Sequence, residues 1–320
     1  MKKGLVSKIF ASGLAAAVVF GAFSPSALAV KTQLHEMLEK EGLVNLRNFS
    51  NVVCEHPEWI NEKDEDGGTP AELAAKNGHL KALKCLIQHG ADVDYDGLLS
   101  LAVEEGKLDV VRCLVGEYHA DVSYDILCEA VEYSGNLEIL KCLIEEQRGS
   151  EHSYDYDALL LLAAESGNWE IVKYLVEEKN ADANYMEEDC RGPSLLVAAR
   201  SGNFDMVKFL MGHRATAEYM PLYDVAAEGY WEIVRYLVER GAEAGEVYTD
   251  HIQQRCWDRP PSILIMAIEE SDIETVKCLV KHGADVNFEA VDGDTPLKMA
   301  KKVGNAEIIT YLKAHGAKDK

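Results

Sequence analysis

The chain contains eight cysteines. Of its residue types, cysteine can take part in the most kinds of chemistry, because a thiol can form a disulfide, ligate a metal or act as a nucleophile. Four of them occupy one position of a repeated segment, seven residues after its turn: Cys85, Cys113, Cys142 and Cys278. The other copies have tyrosine or phenylalanine there, which indicates a packed column. Neighbouring helices lie about 8–10 Å apart, whereas a disulfide needs Cα atoms within about 7 Å. We therefore expect these four to remain buried thiols.

Three further cysteines fall near a predicted helix end or in predicted loops: Cys54, Cys190 and Cys256. Any of them could oxidise, although a bridge between Cys190 and Cys256 requires a long insertion to fold back. His251 with Cys256, and the run Cys54-Glu55-His56, contain residue types that ligate metals. Neither has the doubled ligand pairs typical of a zinc site, so we expect no metal and no other cofactor.

Catalytic motifs are absent from the sequence: it has no nucleophile elbow, phosphate-binding glycine loop or metalloprotease helix. Paired acids occur at Glu104-Glu105, Glu177-Glu178 and Glu269-Glu270. In a chain with 55 acidic and 32 basic residues, we interpret them as solvated helix surface. We predict that the chain is not an enzyme.

The net charge of -23 disfavours phosphate backbones and anionic lipids as partners. We therefore expect no nucleic-acid binding and no direct membrane binding. A partner with a basic surface is favoured. The alternative is that the charge only keeps a long exposed array soluble.

One segment recurs eight times and predicts the elements that position these side chains. It reads Ala-Ala-Lys-Asn-Gly-His-Leu-Lys-Ala-Leu-Lys-Cys-Leu-Ile at 74–87. The turn positions of the eight copies are Gly78, Gly106, Gly135, Gly167, Gly202, Gly229, Ser271 and Gly304. Every copy has leucine eight residues after the turn and an aliphatic residue five after it, which is one face of a helix. Each unit is therefore expected to be a short helix, a tight turn and a second helix.

The openings and closings of two copies resemble those of the ankyrin-repeat family. The openings are Asp66-Gly67-Gly68-Thr69-Pro70 and Asp292-Gly293-Asp294-Thr295-Pro296-Leu297, and the closings are His89-Gly90-Ala91-Asp92-Val93-Asp94 and His282-Gly283-Ala284-Asp285-Val286-Asn287. The resemblance covers essentially all of 67–320. It implies an all-α solenoid of stacked helix-turn-helix units that binds a protein on its concave face and inter-repeat loops.

Several copies depart from the family pattern. The turn-to-turn spacings are 28, 29, 32, 35, 27, 42 and 33 residues, against about 33 in the family, so several units are expected to lack the β-hairpin finger. The two Thr-Pro copies replace the family's histidine with Glu72 and Lys298, which puts the hydrogen bonds of that histidine in doubt. The longest spacing contains an inserted loop near 245–261, where solenoids often place recognition residues.

Residues 1–29 are predicted to be a secretory signal peptide. They combine Lys2 and Lys3, an apolar run from Ile9 to Phe23 and a small-residue cleavage site at Ala27-Leu28-Ala29. The run is shorter than the roughly 20 residues of a membrane span. We expect export to a periplasm or full secretion, a degenerate N-terminal capping repeat at 30–66, about eight ankyrin-type repeats over 67–320 and a C-terminal cap at 291–320.

Aromatic residues supply the predicted partner surface, because they offer large contact area at small entropic cost. Six tyrosines lie between the end of one repeat and the start of the next: Tyr95, Tyr124, Tyr154, Tyr156, Tyr185 and Tyr219. Tyr133 and Arg200 lie at the ends of first helices, and Tyr248 and Trp257 lie in the insertion. The tyrosines could equally pack one repeat on the next in place of the missing fingers, and the sequence leaves both interpretations open.

The sequence therefore predicts an exported, monomeric module that binds, inhibits or protects a protein partner, including a host protein if the producer lives inside another cell. The alternative is a periplasmic redox or metal-handling protein that uses its loop cysteines. A thiol titration with metal analysis separates the two hypotheses.

Overall fold

The structure, a computed structural model, describes residues 34–39, 44–146, 154–186, 192–218, 220–245, 262–290 and 293–318. These residues form helices and turns, with no strand among them, which confirms the predicted all-helical repeat fold. The predicted signal peptide and nearly all of the predicted insertion lie outside the described residues. So do Cys190, Tyr219, Tyr248, Cys256 and Trp257.

The helices divide into two compact units, one ending at Val122 and one beginning at Ser123. The first unit contains α1 (34–39), α2 (Leu46–Glu55), a 3₁₀ turn (Pro57–Trp59), α3 (Pro70–Lys76), α4 (Leu80–Gln88), α5 (Tyr95–Glu104) and α6 (Leu108–Gly116). The first helices α3 and α5 pack on each other, and the second helices α2, α4 and α6 pack in order.

The second unit continues the same alternation. It contains α7 (Tyr124–Glu129), a π-helical segment (Ala130–Ser134), α8 (Leu137–Glu146), α9 (Tyr156–Glu165), α10 (Trp169–Glu177), α11 (Ser194–Arg200), α12 (Phe204–Gly212), α13 (Tyr223–Ala227), α14 (Trp231–Val238), α15 (Ile263–Glu269), α16 (Ile273–Lys281), α17 (Pro296–Val303) and α18 (Ala306–Ala314). First helices pack on first helices from α7 to α17, and α14, α16 and α18 pack as second helices. Each unit therefore has two helical layers.

The leucine column forms the centre of the core, as the periodicity predicts. All eight of its members are fully buried: Leu86, Leu114, Leu143, Leu175, Leu210, Leu237, Leu279 and Leu312. Burying a leucine stabilises a fold by about 1.5–3 kcal/mol, so this column is a large part of the stability of each unit.

The cysteine column is only partly buried. Cys113 and Cys142 are buried as expected, whereas Cys85 and Cys278 are half-buried. Burial raises the pKa of the thiols of Cys85, Cys113 and Cys278, which keeps them protonated. The six cysteines of the described ranges are thiols and not disulfides.

The turns between the two helices of a repeat adopt the left-handed conformation that favours glycine. Ser271 is in the same conformation, with φ of 59°, so this copy keeps the turn at a cost in backbone strain. At Gly135 the bare backbone also makes room for the next repeat, because a Cβ there would lie 2.8 Å from Oδ1 of Asn168.

In the two Thr-Pro openings, Glu72 and Lys298 replace histidine and make other hydrogen bonds. The backbone N–H of Thr69 donates to Oε2 of Glu72 at 2.7 Å, and the N–H of Glu72 donates back to Thr69 Oγ1. Lys298 donates through Nζ to the carbonyl of Gly293 at 2.9 Å. The openings are therefore capped by a different set of side chains.

Candidate partner-binding surface

Four first helices begin with the same dipeptide, tyrosine followed by aspartate. Their first residues are Tyr95, Tyr124, Tyr156 and Tyr223. Sequence reasoning placed Tyr219 in this series and missed Tyr223. The Tyr-Asp pair at 223–224 was the signal that identifies the helix start.

Two of these tyrosines pack against the loop that closes their own repeat. The ring of Tyr95 stacks on Tyr118, with centroids 5.3 Å apart and planes 13° apart. The ammonium of Lys179 lies 5.5 Å from the ring centroid of Tyr156. Burial raises the pKa of Tyr118 and Tyr156. For Tyr95 and Tyr156, packing within the scaffold accounts for the contacts.

Two aspartates of these dipeptides hold a loop in place by accepting a backbone hydrogen bond. Oδ1 of Asp96 accepts the backbone N–H of Asp121 at 2.9 Å, and Oδ1 of Asp157 accepts that of Asp182 at 2.7 Å. Where the repeat is longer, Asn184 has this role and accepts the N–H of Thr216 at 2.8 Å. At 95–96 and 156–157 the Tyr-Asp opening thus has a structural role between repeats.

The remaining described tyrosines of the series differ in exposure. Tyr124 is 37% exposed, and Tyr154 and Tyr185 are half-buried. Tyr154 precedes α9, and Tyr185 follows the left-handed Asn180 in the next loop. These three stay predicted partner contacts.

Tyr133 is the most exposed of the described tyrosines, at 64%. It lies in the π-helical segment that extends α7 to Gly135. The copy Ala102-Val103-Glu104-Glu105-Gly106 has one residue fewer than Ala130-Val131-Glu132-Tyr133-Ser134-Gly135. Ala130 and Val131 are as buried as Ala102 and Val103. The π segment therefore accommodates the extra residue on the exposed side of the helix.

The next repeat holds this π segment in place. Nδ2 of Asn168 donates to the carbonyl of Val131, and Ser134 Oγ donates to the carbonyl of Ala130 at 2.9 Å. Both bonds satisfy carbonyls near the C-terminal end of the helix, where the intrahelical ladder ends. Tyr133 is therefore displayed from a fixed backbone.

The exposed ends of the first helices form the candidate partner-binding surface of the second unit, which we call the first-helix surface. It consists of the two residues before each turn: Tyr133, Ser134, Glu165, Ser166, Arg200, Ser201, Ala227, Glu228, Glu269, Glu270, Lys302 and Val303. The guanidinium of Arg200 forms an ion pair with Asp224. Lys302 also lies next to a carboxylate, that of Asp294, at 4.0 Å. The charge of this surface is therefore dominated by carboxylates: Glu165, Glu228, Glu269 and Glu270.

The corresponding positions of the first unit are also paired. Nζ of Lys76 lies 3.8 Å from Oε1 of Glu105. An ion pair of this kind on the surface contributes little stability. It nevertheless neutralises a lysine that would otherwise attract an acidic partner.

The described ranges contain no group of three His, Cys, Asp or Glu side chains that could hold a metal ion. Of the helices described, none is long and apolar enough to cross a membrane.

Comparison with known proteins identifies the repeat. The family model for ankyrin repeats matches three times, at residues 34–126, 127–220 and 222–320. The chain is 37% identical over 49 residues to a putative ankyrin repeat protein of Rickettsia bellii (strain RML369-C), covering 15% of this chain and 29% of that protein. It is 29% identical over 97 residues to ankyrin repeat and SOCS box protein 14 of Mus musculus, covering 30% and 16%.

A third relative is ankyrin repeat domain-containing protein 49 of Bos taurus, 44% identical over 48 residues. That match covers 15% of this chain and 20% of the relative. The chain thus spans less than a third of each of these curated relatives, and the likeness extends to the repeats alone.

Proposed function

Because the chain belongs to the ankyrin-repeat family, whose repeats in general mediate protein–protein interaction, we propose that it is an exported module that binds a protein with a basic surface. The mature form starts after Ala29 and acts as a monomer in the periplasm or outside the cell. Its binding site is the first-helix surface, with Tyr133 at one end.

Tyr133 is the observation that supports this most directly. An inserted residue in a packed repeat costs regular hydrogen bonds, and here the insertion leaves an aromatic side chain 64% exposed on a fixed backbone. Tyrosine is enriched at interfaces and attracts cations to its ring face. With the carboxylates of Glu165, Glu269 and Glu270 exposed on the same surface, lysine and arginine side chains of the partner would find both kinds of contact.

The proposal is tested by capture from the producing organism with mature wild-type chain as bait. Proteins retained by the wild type should be lost with Tyr133→Ala, with affinity falling about tenfold or more, as at interface hot spots. Lys281→Ala is the control, since Lys281 is an exposed residue of the second helix α16. If Tyr133→Ala retains the same proteins as the control, the first-helix surface is not the binding site.

Export is tested separately by the mass of the protein recovered outside the cytoplasm. The expected form lacks the first 29 residues. Recovery of the full-length chain in the cytoplasm alone would overturn export and leave the binding proposal standing.

A further inference from the structure

Cys54 and His89 form a hydrogen-bonded pair on the surface of the first unit. Cys54 lies in the last turn of α2, and its sulfur is 3.3 Å from Nε2 of His89, the residue that caps the end of α4. Both side chains are exposed. The packing of α2 against α4 brings together residues that are 35 positions apart.

The repeat determines which nitrogen of His89 faces the thiol. Nδ1 is 2.8 Å from the carbonyl oxygen of Cys85, and because a carbonyl only accepts, Nδ1 carries the hydrogen of that bond. In the neutral ring Nε2 is then the acceptor, so the thiol of Cys54 donates to it. Three other histidines at helix ends make the same Nδ1 bond: His213, His282 and His315. The orientation of His89 is thus a property of the repeat. It leaves Nε2 as the acceptor that faces the thiol of Cys54.

We propose that Cys54 is a nucleophilic thiol activated by His89, and that it reacts with low-molecular-weight disulfides. The arrangement is that of an activated nucleophile: a thiol within hydrogen-bond distance of a base, and a third group that orients the base. Exposure of both side chains gives a small disulfide access to the sulfur.

The reaction balances without a further oxidant. As the sulfur of Cys54 attacks one sulfur of a disulfide RSSR, its proton passes to Nε2 of His89. A bond forms between Cys54 and one RS group while the original sulfur–sulfur bond breaks. The other half leaves as a thiolate, takes the proton from the imidazolium and departs as RSH. The disulfide is the oxidant, and Cys54 ends as a mixed disulfide.

His89 is the base that lies within hydrogen-bond distance of the Cys54 sulfur, at 3.3 Å. Cys85 approaches Nδ1 at 3.7 Å, but burial raises the pKa of its thiol and makes it the weaker nucleophile at neutral pH.

This site is independent of the proposed protein binding. Cys54 and His89 lie on and after second helices of the first unit, whereas the first-helix surface belongs to first helices of the second unit. Failure of one proposal therefore leaves the other intact.

The test uses the mature full-length protein and an excess of dithiobis(nitrobenzoate). The release of the coloured thiolate gives the rates, and peptide mass spectrometry identifies the modified cysteines. The fastest phase should modify Cys54 and disappear in Cys54→Ser. In His89→Gln, loss of the base should slow that phase about tenfold or more. Glutathione disulfide should give a mixed disulfide at Cys54.

His315→Gln is the matched control, since His315 makes the same Nδ1 bond at another helix end. It should leave the rate at Cys54 unchanged. A second arm needs no variant: in urea-unfolded wild type, Cys54 should react more slowly than in the folded protein. An unchanged rate at Cys54 in His89→Gln, a fastest phase at another cysteine, or faster reaction in the unfolded chain would each overturn the proposal.

Discussion

Asp272 joins two neighbouring repeats of the second unit through one carboxylate. Its Oδ2 accepts a hydrogen bond from Nη1 of Arg235 at 2.8 Å and one from Oγ1 of Thr275 at 2.7 Å, while its Oδ1 accepts the N–H of Thr275. Thr275 is fully buried in a column where the other copies are apolar. Burial raises the pKa of Asp272, but the bonds from Thr275 and the charge of Arg235 outweigh it and hold that pKa below its usual value.

We expect Asp272→Asn to lower the free energy of unfolding by about 2 kcal/mol at neutral pH, because bonds to a charged acceptor are lost. The folded-state pKa is lower than the unfolded one, so the contribution is present above about pH 4 and is lost as the pH falls through the folded pKa. Urea unfolding at neutral and acid pH measures this. The gap between wild type and variant should close in acid.

Asp205→Asn is the control for this prediction. The Asp205 carboxylate is almost fully exposed and lies 3.9 Å from Nζ of Lys208, so its loss should change the free energy of unfolding by no more than about 0.5 kcal/mol. Equal losses for both variants, or a gap for Asp272→Asn that does not depend on pH, would contradict the account of Asp272.

At the scale of the element, the turn glycines differ in what they touch. Gly135 and Gly167 are both left-handed, with φ of 55° and 70°. A Cβ would lie 2.8 Å from Asn168 Oδ1 at Gly135 and has nothing within 4 Å at Gly167. Substitution by alanine should lower the free energy of unfolding by about 1–2 kcal/mol at either site, because of backbone strain alone. At Gly135 the loss should be at least about 1 kcal/mol larger, because Asn168 must move. Equal unfolding midpoints for the two variants would show that the repeats do not meet closely there.

The π segment makes a second prediction at this scale. Deleting Tyr133 should restore a regular α-helix and change the free energy of unfolding by less than about 1 kcal/mol. Deleting Glu104, at the same place in a copy without the extra residue, rotates Ala102 and Val103 out of the core and should cost more than about 3 kcal/mol. Denaturant unfolding of the two deletions decides this, and similar losses would mean that Tyr133 is not the inserted residue.

The helices themselves could be predicted from the sequence, because the buried leucines recur at a fixed distance from each turn. The π segment could not, since the spacing of 29 residues between Gly106 and Gly135 does not say where the extra residue lies. The signal that could have located it is the pair Ala130-Val131, which lies one residue farther from Gly135 than Ala102-Val103 lies from Gly106. The Cys54–His89 pair was also missed, because its partners are on different repeats and the sequence pattern treats each repeat alone.

For the whole molecule, the array and its family were predictable because eight copies share one register. Which tyrosines pack and which are displayed was not, since a packed series and a binding series have the same spacing. The structure assigns Tyr95 and Tyr156 to packing. It leaves Tyr133 exposed on a surface dominated by carboxylates.

The acidic charge of that surface gives a prediction for the intact complex. Added salt screens charges over about 10 Å at 0.1 M, so the partner's association rate should fall steeply between low and physiological salt. Stopped-flow or surface-binding kinetics measure this. A rate that does not depend on salt would show that the carboxylates do not attract the partner.

The central claim, that the first-helix surface binds a protein, is tested most directly by site-specific photo-crosslinking in the producing organism. A photoreactive amino acid replaces Tyr133 in one protein and Lys281, an exposed residue of the second helix α16, in another. We expect a discrete protein adduct from position 133 and none from position 281. Adducts from position 281 alone, or the same adducts from both positions, would contradict the claim.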